Sequence, residues 1–146
     1  MRQVSIVKIG QHVVELLNSD VVGVELDAAF RLTPIVKLPD ARRYVYVVPK
    51  KRVTTTEGKS FDRRERLLNI VIQKRMTKPD TEGLELLELS EQIEDLITDR
   101  ANRTFAVDGI NFHFQKLDTD YLYVPTLAKT ENQFLSVATA TYFALE

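Results

Sequence analysis

The order of periodic segments along this chain predicts an α+β fold: a mainly antiparallel sheet with two helices packed on one face and a long protruding hairpin. Three observations lead there. Two stretches carry apolar residues at three- and four-residue spacing, the stripe of an amphipathic helix. Several runs are instead rich in β-branched and aromatic residues, as half-buried strands are. Finally, Asp108-Gly109 sits between two alternating runs, the setting of a two-residue hairpin turn.

In chain order, Val4–Leu17 reads as the first helix, with Ile6, Ile9, Val13, Leu16 and Leu17 on one face and Asn18-Ser19-Asp20 ending it. Ala28–Val36 reads as a short strand. Tyr44–Val48 is a strand of aromatic and β-branched residues closed by Pro49, and Leu67–Gln73 is another, with Leu68, Ile70 and Ile72 on one face. Between them lie the 18 residues 49–66. This is longer than ordinary hairpin loops of about two to five residues. It is expected to be a basic extended loop, part of which continues the ladder to a tip near Glu57-Gly58-Lys59. Thr77–Gly83 reads as a linker. The second helix spans Leu84–Asp99, with Leu86, Leu89, Ile93, Leu96 and Ile97 buried. The Asp108-Gly109 turn pairs Val107 with Ile110 and Phe105 with Phe112. Leu117–Asn132 is a looser connection, and Gln133–Phe143 a last strand. The expected core includes Phe105, Val107, Ile110, Phe112, Ile70, Ile72, Leu89 and Ile93.

The chain has 146 residues, of which 44% are hydrophobic, so a single domain over residues 1–146 can bury a core. The net charge of −1 excludes a generally basic nucleic-acid binder. There is no cysteine, which removes disulfides, thiol nucleophiles and thiolate metal sites. No apolar run reaches the roughly 18 residues of a membrane span, and Met1–Gly10 lacks the apolar stretch of a secretory signal.

The catalytic motifs are incomplete. Gly58-Lys59-Ser60 resembles the end of a phosphate-binding loop, but that loop needs a glycine where Val53 stands. Asp118-Thr119-Asp120 supplies too few oxygens for a divalent cation. His12 and His113 lack a nucleophile and an orienting partner at motif spacing. The expectation is a protein with no catalytic residues, no cofactor and no metal.

Charge is distributed unevenly. Residues 42–78 hold twelve basic against three acidic residues, a balance of +9, so the rest of the chain carries −10. Asp80–Arg100 holds eight acidic residues and a single base. Three readings stay open at this point: two solvated faces of one fold, a heterologous contact between the basic arm of one copy and the acidic helix of the next, or a phosphate backbone along the arm. Phe61 is the only ring between Pro49 and Arg66, so stacking platforms for single strands are absent there.

The strand Tyr44-Val45-Tyr46-Val47-Val48-Pro49, the loop with Arg63-Arg64 and the strand Leu68–Arg75 resemble tailed-phage tail terminator proteins, as do the acidic Leu84–Ile97 helix and Phe134-Leu135-Ser136-Val137-Ala138-Thr139-Ala140-Thr141-Tyr142. The resemblance covers about two-thirds of the chain; Asn102–Asn132 carries none of it. It implies a structural virion protein of the tail and neck, assembled in the host cytoplasm. Such a protein forms a homohexameric ring on the end of the tail tube, stops tube polymerisation and joins the tube to the head connector. The alternatives are another neck or head-completion protein, or a basic-arm nucleic-acid-binding module. The expected partners are the chain itself, the tail tube protein and the head connector, with no membrane and no specific nucleic acid. The expected assembly interface sets Lys50, Lys51, Arg52, Val53, Phe61, Arg63, Arg64 and Arg66 against Glu85, Glu88, Glu91 and Asp95.

Overall fold

The structure, a computed structural model, describes residues 5–20, 26–58, 61–121 and 133–145. Its elements are α1 (Ser5–Asp20), β1 (Ala29–Phe30), β2 (Tyr44–Glu57), β3 (Phe61–Arg75), α2 (Pro79–Thr98), β4 (Thr104–Val107), β5 (Ile110–Tyr121) and β6 (Gln133–Leu145). A 3₁₀ turn, Arg100–Asn102, follows α2. The fold is α+β: two helices and a six-stranded sheet in the order β1-β2-β3-β6-β5-β4. Only the β1–β2 pair is parallel; the other pairings are antiparallel.

Strand β3 explains the architecture. Its inward residues Leu68, Ile70 and Ile72 alternate with Leu67, Asn69 and Val71, so one face is continuously apolar. That face joins Ile9, Val13 and Leu17 of α1 and Leu86, Leu89, Ile93 and Ile97 of α2 in one core cluster, completed by Phe112, Phe134 and Tyr142. A smaller cluster of Tyr46, Val48 and Val71 forms from residues of the opposite parity, covered by Ile35, Leu135 and Val137. The phenol of Tyr46 donates to Gln73 Oε1 at 2.9 Å and accepts the Ile35 backbone N–H at 3.2 Å, tying the 31–43 segment down over this cluster.

Several boundaries differ from the sequence expectation. The 18-residue stretch 49–66 is paired strand over residues 49–57 and 61–66, with rungs continuing from Lys51↔Leu67 to Glu57↔Phe61. Pro49 does not close β2. The strand passes it with a register shift between Pro49 and Lys51, and a bulge near a sheet edge is where proline is tolerated. The expected strand 28–36 is reduced to Ala29–Phe30. The linker 77–83 is helical from Pro79, because proline at the first turn loses no hydrogen bond and Asp80 and Glu82 suit the helix N-terminus. Residues 117–121 belong to β5 rather than to a loop, while 122–132 lie outside the described residues.

The hairpin turn matches expectation. Asp108 and Gly109 have φ of 52° and 80°, and Val107 pairs with Ile110 and Phe105 with Phe112. Of the expected core, Ile70, Ile72, Leu89, Ile93, Val107 and Phe112 are buried, and Phe105 and Ile110 are half-buried against them.

Gly10 has a specific reason to be a glycine inside α1. A Cβ built there would stand 2.3 Å from Phe30 Cε2. Ala normally improves a helix interior by roughly 0.5–1 kcal/mol over Gly, but here the overlap with the ring outweighs that gain. Gly10→Ala is expected to destabilise the fold by about 1–2 kcal/mol in urea unfolding. In a Phe30→Ala background the same substitution should become neutral or stabilising.

Candidate assembly surfaces

The expected interface residues separate into three groups. The first is structural. Arg66 is buried, and its guanidinium donates to Ser5 Oγ at 3.0 Å and to the Glu65 carbonyl at 2.9 Å, so it joins β3 to the start of α1. Arg63 is held by three groups: Glu65 Oε1 at 3.1 Å, Gln115 Oε1 at 2.6 Å and the Phe143 ring, whose centroid lies 4.1 Å from the guanidinium carbon. Because Arg63 lies across its own sheet neighbours, on the face away from the core, it is not a free arm residue. Arg64 is half-buried in the same strand.

The second group is exposed. Lys50, Lys51 and Arg52 lie on β2, with Val53 half-buried beside them and Phe61 44% exposed across the hairpin. Lys50 Nζ donates to Thr139 Oγ1 at 3.2 Å. Strand β1 covers β2 only at Tyr46 and Val47, and the Arg31 N–H adds a bond to the Val47 carbonyl. Among the described residues, Lys51–Thr56 therefore form an uncovered outer edge. The third group, Glu85, Glu88, Glu91 and Asp95, is exposed along α2, and no ion pair is seen for these carboxylates among the described residues.

Most of the other basic residues of the +9 segment are also engaged within the chain. Lys74 pairs with Glu82 at 2.9 Å, which is the main reason that the Glu82 carboxyl is held below its usual value. Arg75 donates to the Leu38 carbonyl at 2.7 Å. Arg42 pairs with Asp40, whose carboxyl is lowered first by the Arg42 backbone N–H. A cleft of about 460 Å³ beside this loop is lined by Arg31, Arg42, Arg43, Tyr44 and Tyr46. Its arginines are used locally: Arg31 donates to the Thr33 carbonyl and lies over the Tyr46 ring, and Arg42 also bonds the Tyr44 hydroxyl.

The residues weighed for catalysis are not brought together. His12 stacks on Phe105 with ring centroids 4.0 Å apart, and burial lowers its pKa against an opposing pull from Glu15. His113 is exposed near Phe143 and within 3.1 Å of Thr104 Oγ1. Asp118 and Thr119 sit in β5, where Asp118 faces Thr139 across the ladder and pairs with Lys116. Gly58 has φ of 81° at the hairpin tip; Lys59 and Ser60 lie outside the described residues. Among the described residues no cluster of three metal-type side chains occurs, and no helix is long and apolar enough to cross a membrane.

Sequence reasoning missed the outer edge of β5. Strand β4 covers β5 only from Ile110 to His113, so Gln115–Tyr121 form a second uncovered edge among the described residues. The register shift between Phe114 and Lys116 breaks the alternation by which periodicity alone would have shown the strand continuing.

No family model matches the chain, and no curated protein matches it. One solved structure, whose name states no function, aligns at 7% identity and a TM-score of 0.54 over 95% of this chain and 93% of that one. That likeness concerns the fold alone.

Two measurements follow. Arg63→Ala and Arg66→Ala should each cost about 1–3 kcal/mol in chemical denaturation, through lost charge-assisted hydrogen bonds and buried partners. Lys51→Ala and Arg52→Ala should stay within about 0.5 kcal/mol. For His12, the unfolded chain binds a proton near the ordinary histidine value of about 6.5, whereas the folded chain binds it only at lower pH, because the ring is desolvated by burial. Its contribution to stability is complete above that value and declines as pH falls below it. The thermal midpoint should drop between about pH 7.5 and 5.5, and His12→Phe, which keeps the stacking ring, should flatten that slope.

Proposed function

We propose that this chain is a structural protein of a tailed phage: a tail terminator that closes into a ring, most simply of six copies. The ring ends tail tube polymerisation and joins the tube to the head connector. The reading includes the finer architecture, with both helices on one face of the sheet and the tip of the β2–β3 hairpin projecting beyond it. Support comes from the motif resemblance of β2, β3, α2 and β6. The observation that carries most weight is the separation of unspent charge. Lys51 and Arg52 lie on the β2 side of the sheet, while α2, which packs over β5 and β6, leaves Glu85, Glu88, Glu91 and Asp95 exposed. Different patches of one molecule favour a heterologous contact, which closes into a ring when the rotation permits.

The nucleic-acid alternative loses ground for a physical reason. Counterion release needs basic groups free to meet phosphates, and Arg42, Arg63, Arg66, Lys74 and Arg75 are committed within the fold.

The test is native mass spectrometry of the chain alone and mixed with tail tubes, with tube length read by electron microscopy. A closed ring and tubes of defined length are expected. Lys51→Glu with Arg52→Glu should reduce ring formation, and adding Glu88→Lys and Glu91→Lys should partly restore it. A chain that stays monomeric in both settings, with tubes ending normally in its absence, overturns the reading. So does tight duplex DNA binding that persists at physiological salt.

A further inference from the structure

We infer that copies of this chain join edge to edge, the outer edge of β2 in one copy pairing antiparallel with the outer edge of β5 in the next. This inference rests on the ring reading and specifies its contact. The sheet leaves two backbone edges uncovered among the described residues, Lys51–Thr56 on β2 and Gln115–Tyr121 on β5, at opposite sides of the strand order. An uncovered edge presents unpaired N–H and C=O groups, which template another strand. The β2 edge is also rich in β-branched residues, Val53-Thr54-Thr55-Thr56, of which the three threonines are exposed.

Direction follows from the ladder. β2, β3, β6 and β5 are successively antiparallel, so β2 and β5 run in opposite senses. Copies repeated side by side in one orientation therefore continue the antiparallel alternation across the junction.

Charge selects this pairing over the others. Two β2 edges brought together would place Lys51 and Arg52 of both copies in one contact with no carboxylate between residues 51 and 56, which disfavours the homotypic contact. By sequence the β5 edge, Gln115–Tyr121, holds Asp118 and Asp120 against Lys116, so its net sign is opposite to that of the β2 edge. Lys51 pairs with Leu67 and Asp118 pairs with Thr139, residues of one face, so Lys51 and the Lys116–Asp118 ion pair come to the same side of the junction. Arg52 pairs with Arg66, on the core face, the side on which α2 packs through Leu86, Leu89, Ile93 and Ile97 while its carboxylates stay exposed.

The stagger is also suitable. Lys51, Leu67, Thr141 and Lys116 form one row across the sheet. The β2 edge extends from that row towards the hairpin tip and the β5 edge extends the other way. Matching their centres offsets each copy by about 15 Å along the strands, over about 19 Å for four strand spacings. The implied inclination is about 38°, inside the roughly 35–45° of strands in closed barrels.

The chain has no cysteine, so introduced thiols report without background. Val53→Cys protein would be mixed with Asp118→Cys protein, and Thr55→Cys with Lys116→Cys, two same-face pairs of one antiparallel register, each oxidised over a range of concentrations, with Thr54→Cys protein alone as the homotypic control and assembly mass followed in parallel. The expected result is β2-to-β5 disulfides in the mixtures and none between two Thr54→Cys copies. Adding Lys51→Glu should lower the crosslinked yield roughly fivefold. Assemblies that form without β2-to-β5 crosslinks would overturn the edge pairing and leave the ring. Crosslinked open chains of indefinite length would overturn the ring and leave the edge pairing. Homotypic Thr54→Cys crosslinks, or no crosslink at any concentration, would overturn the inference.

Discussion

The alternation along β3 is the constraint on which the rest of the structure depends. This strand is hydrogen-bonded on both sides, to β2 and to β6, over nearly its whole length. A shift of one residue in either ladder would turn Leu68, Ile70 and Ile72 away from the helices and bring Asn69 and Gln73 into the core. The register is therefore fixed by burial, and it places everything else. It brings Arg66 to Ser5 at the start of α1, Asn69 to Thr139 at 2.9 Å and Arg63 to the Phe143 ring.

A second consequence is how charge is spent. Along the sequence the basic residues form a block and look like an arm. Once that block is two paired strands, period-two alternation divides it between faces and neighbours. Arg66 turns inward, and Arg63 settles between Glu65, Gln115 and Phe143, with the ring taking one side of its guanidinium. What remains for partners is small and local. Lys51 and Arg52 lie on an edge that the two-residue β1 does not cover. The acidic residues behave differently. An amphipathic helix buries one stripe and exposes the rest, so α2 leaves its carboxylates in solvent. The net charge of −1 thus conceals a molecule with unlike surfaces.

Those surfaces give the assembly reading its physical content. In the proposed assembly, electrostatic complementarity would set partner choice and register more than raw affinity, and the uncovered strand edges would supply the binding. The β2 edge is charged enough to resist indiscriminate pairing and β-branched enough to accept a matching partner.

The sequence by itself determined the elements whose information is local. The apolar stripes of α1 and α2, the strands around Tyr44–Val48 and Leu67–Gln73, and the Asp108-Gly109 turn all follow from residue type and spacing, because helix and strand periods and positive-φ turns are written in neighbouring residues. Tertiary structure alone decided the rest. Residues 49–57 and 61–66 have no apolar alternation of their own and are strand because they pair with each other and, from Arg63, with β6. Pro49 and the Phe114–Lys116 shift interrupt periodicity at bulges that only a partner strand defines. Gly10 is explained by a ring twenty residues away. The fate of each arginine was equally non-local: a cation's partners are set by which strands lie beside it, and that neighbour relation exists only once the sheet has formed.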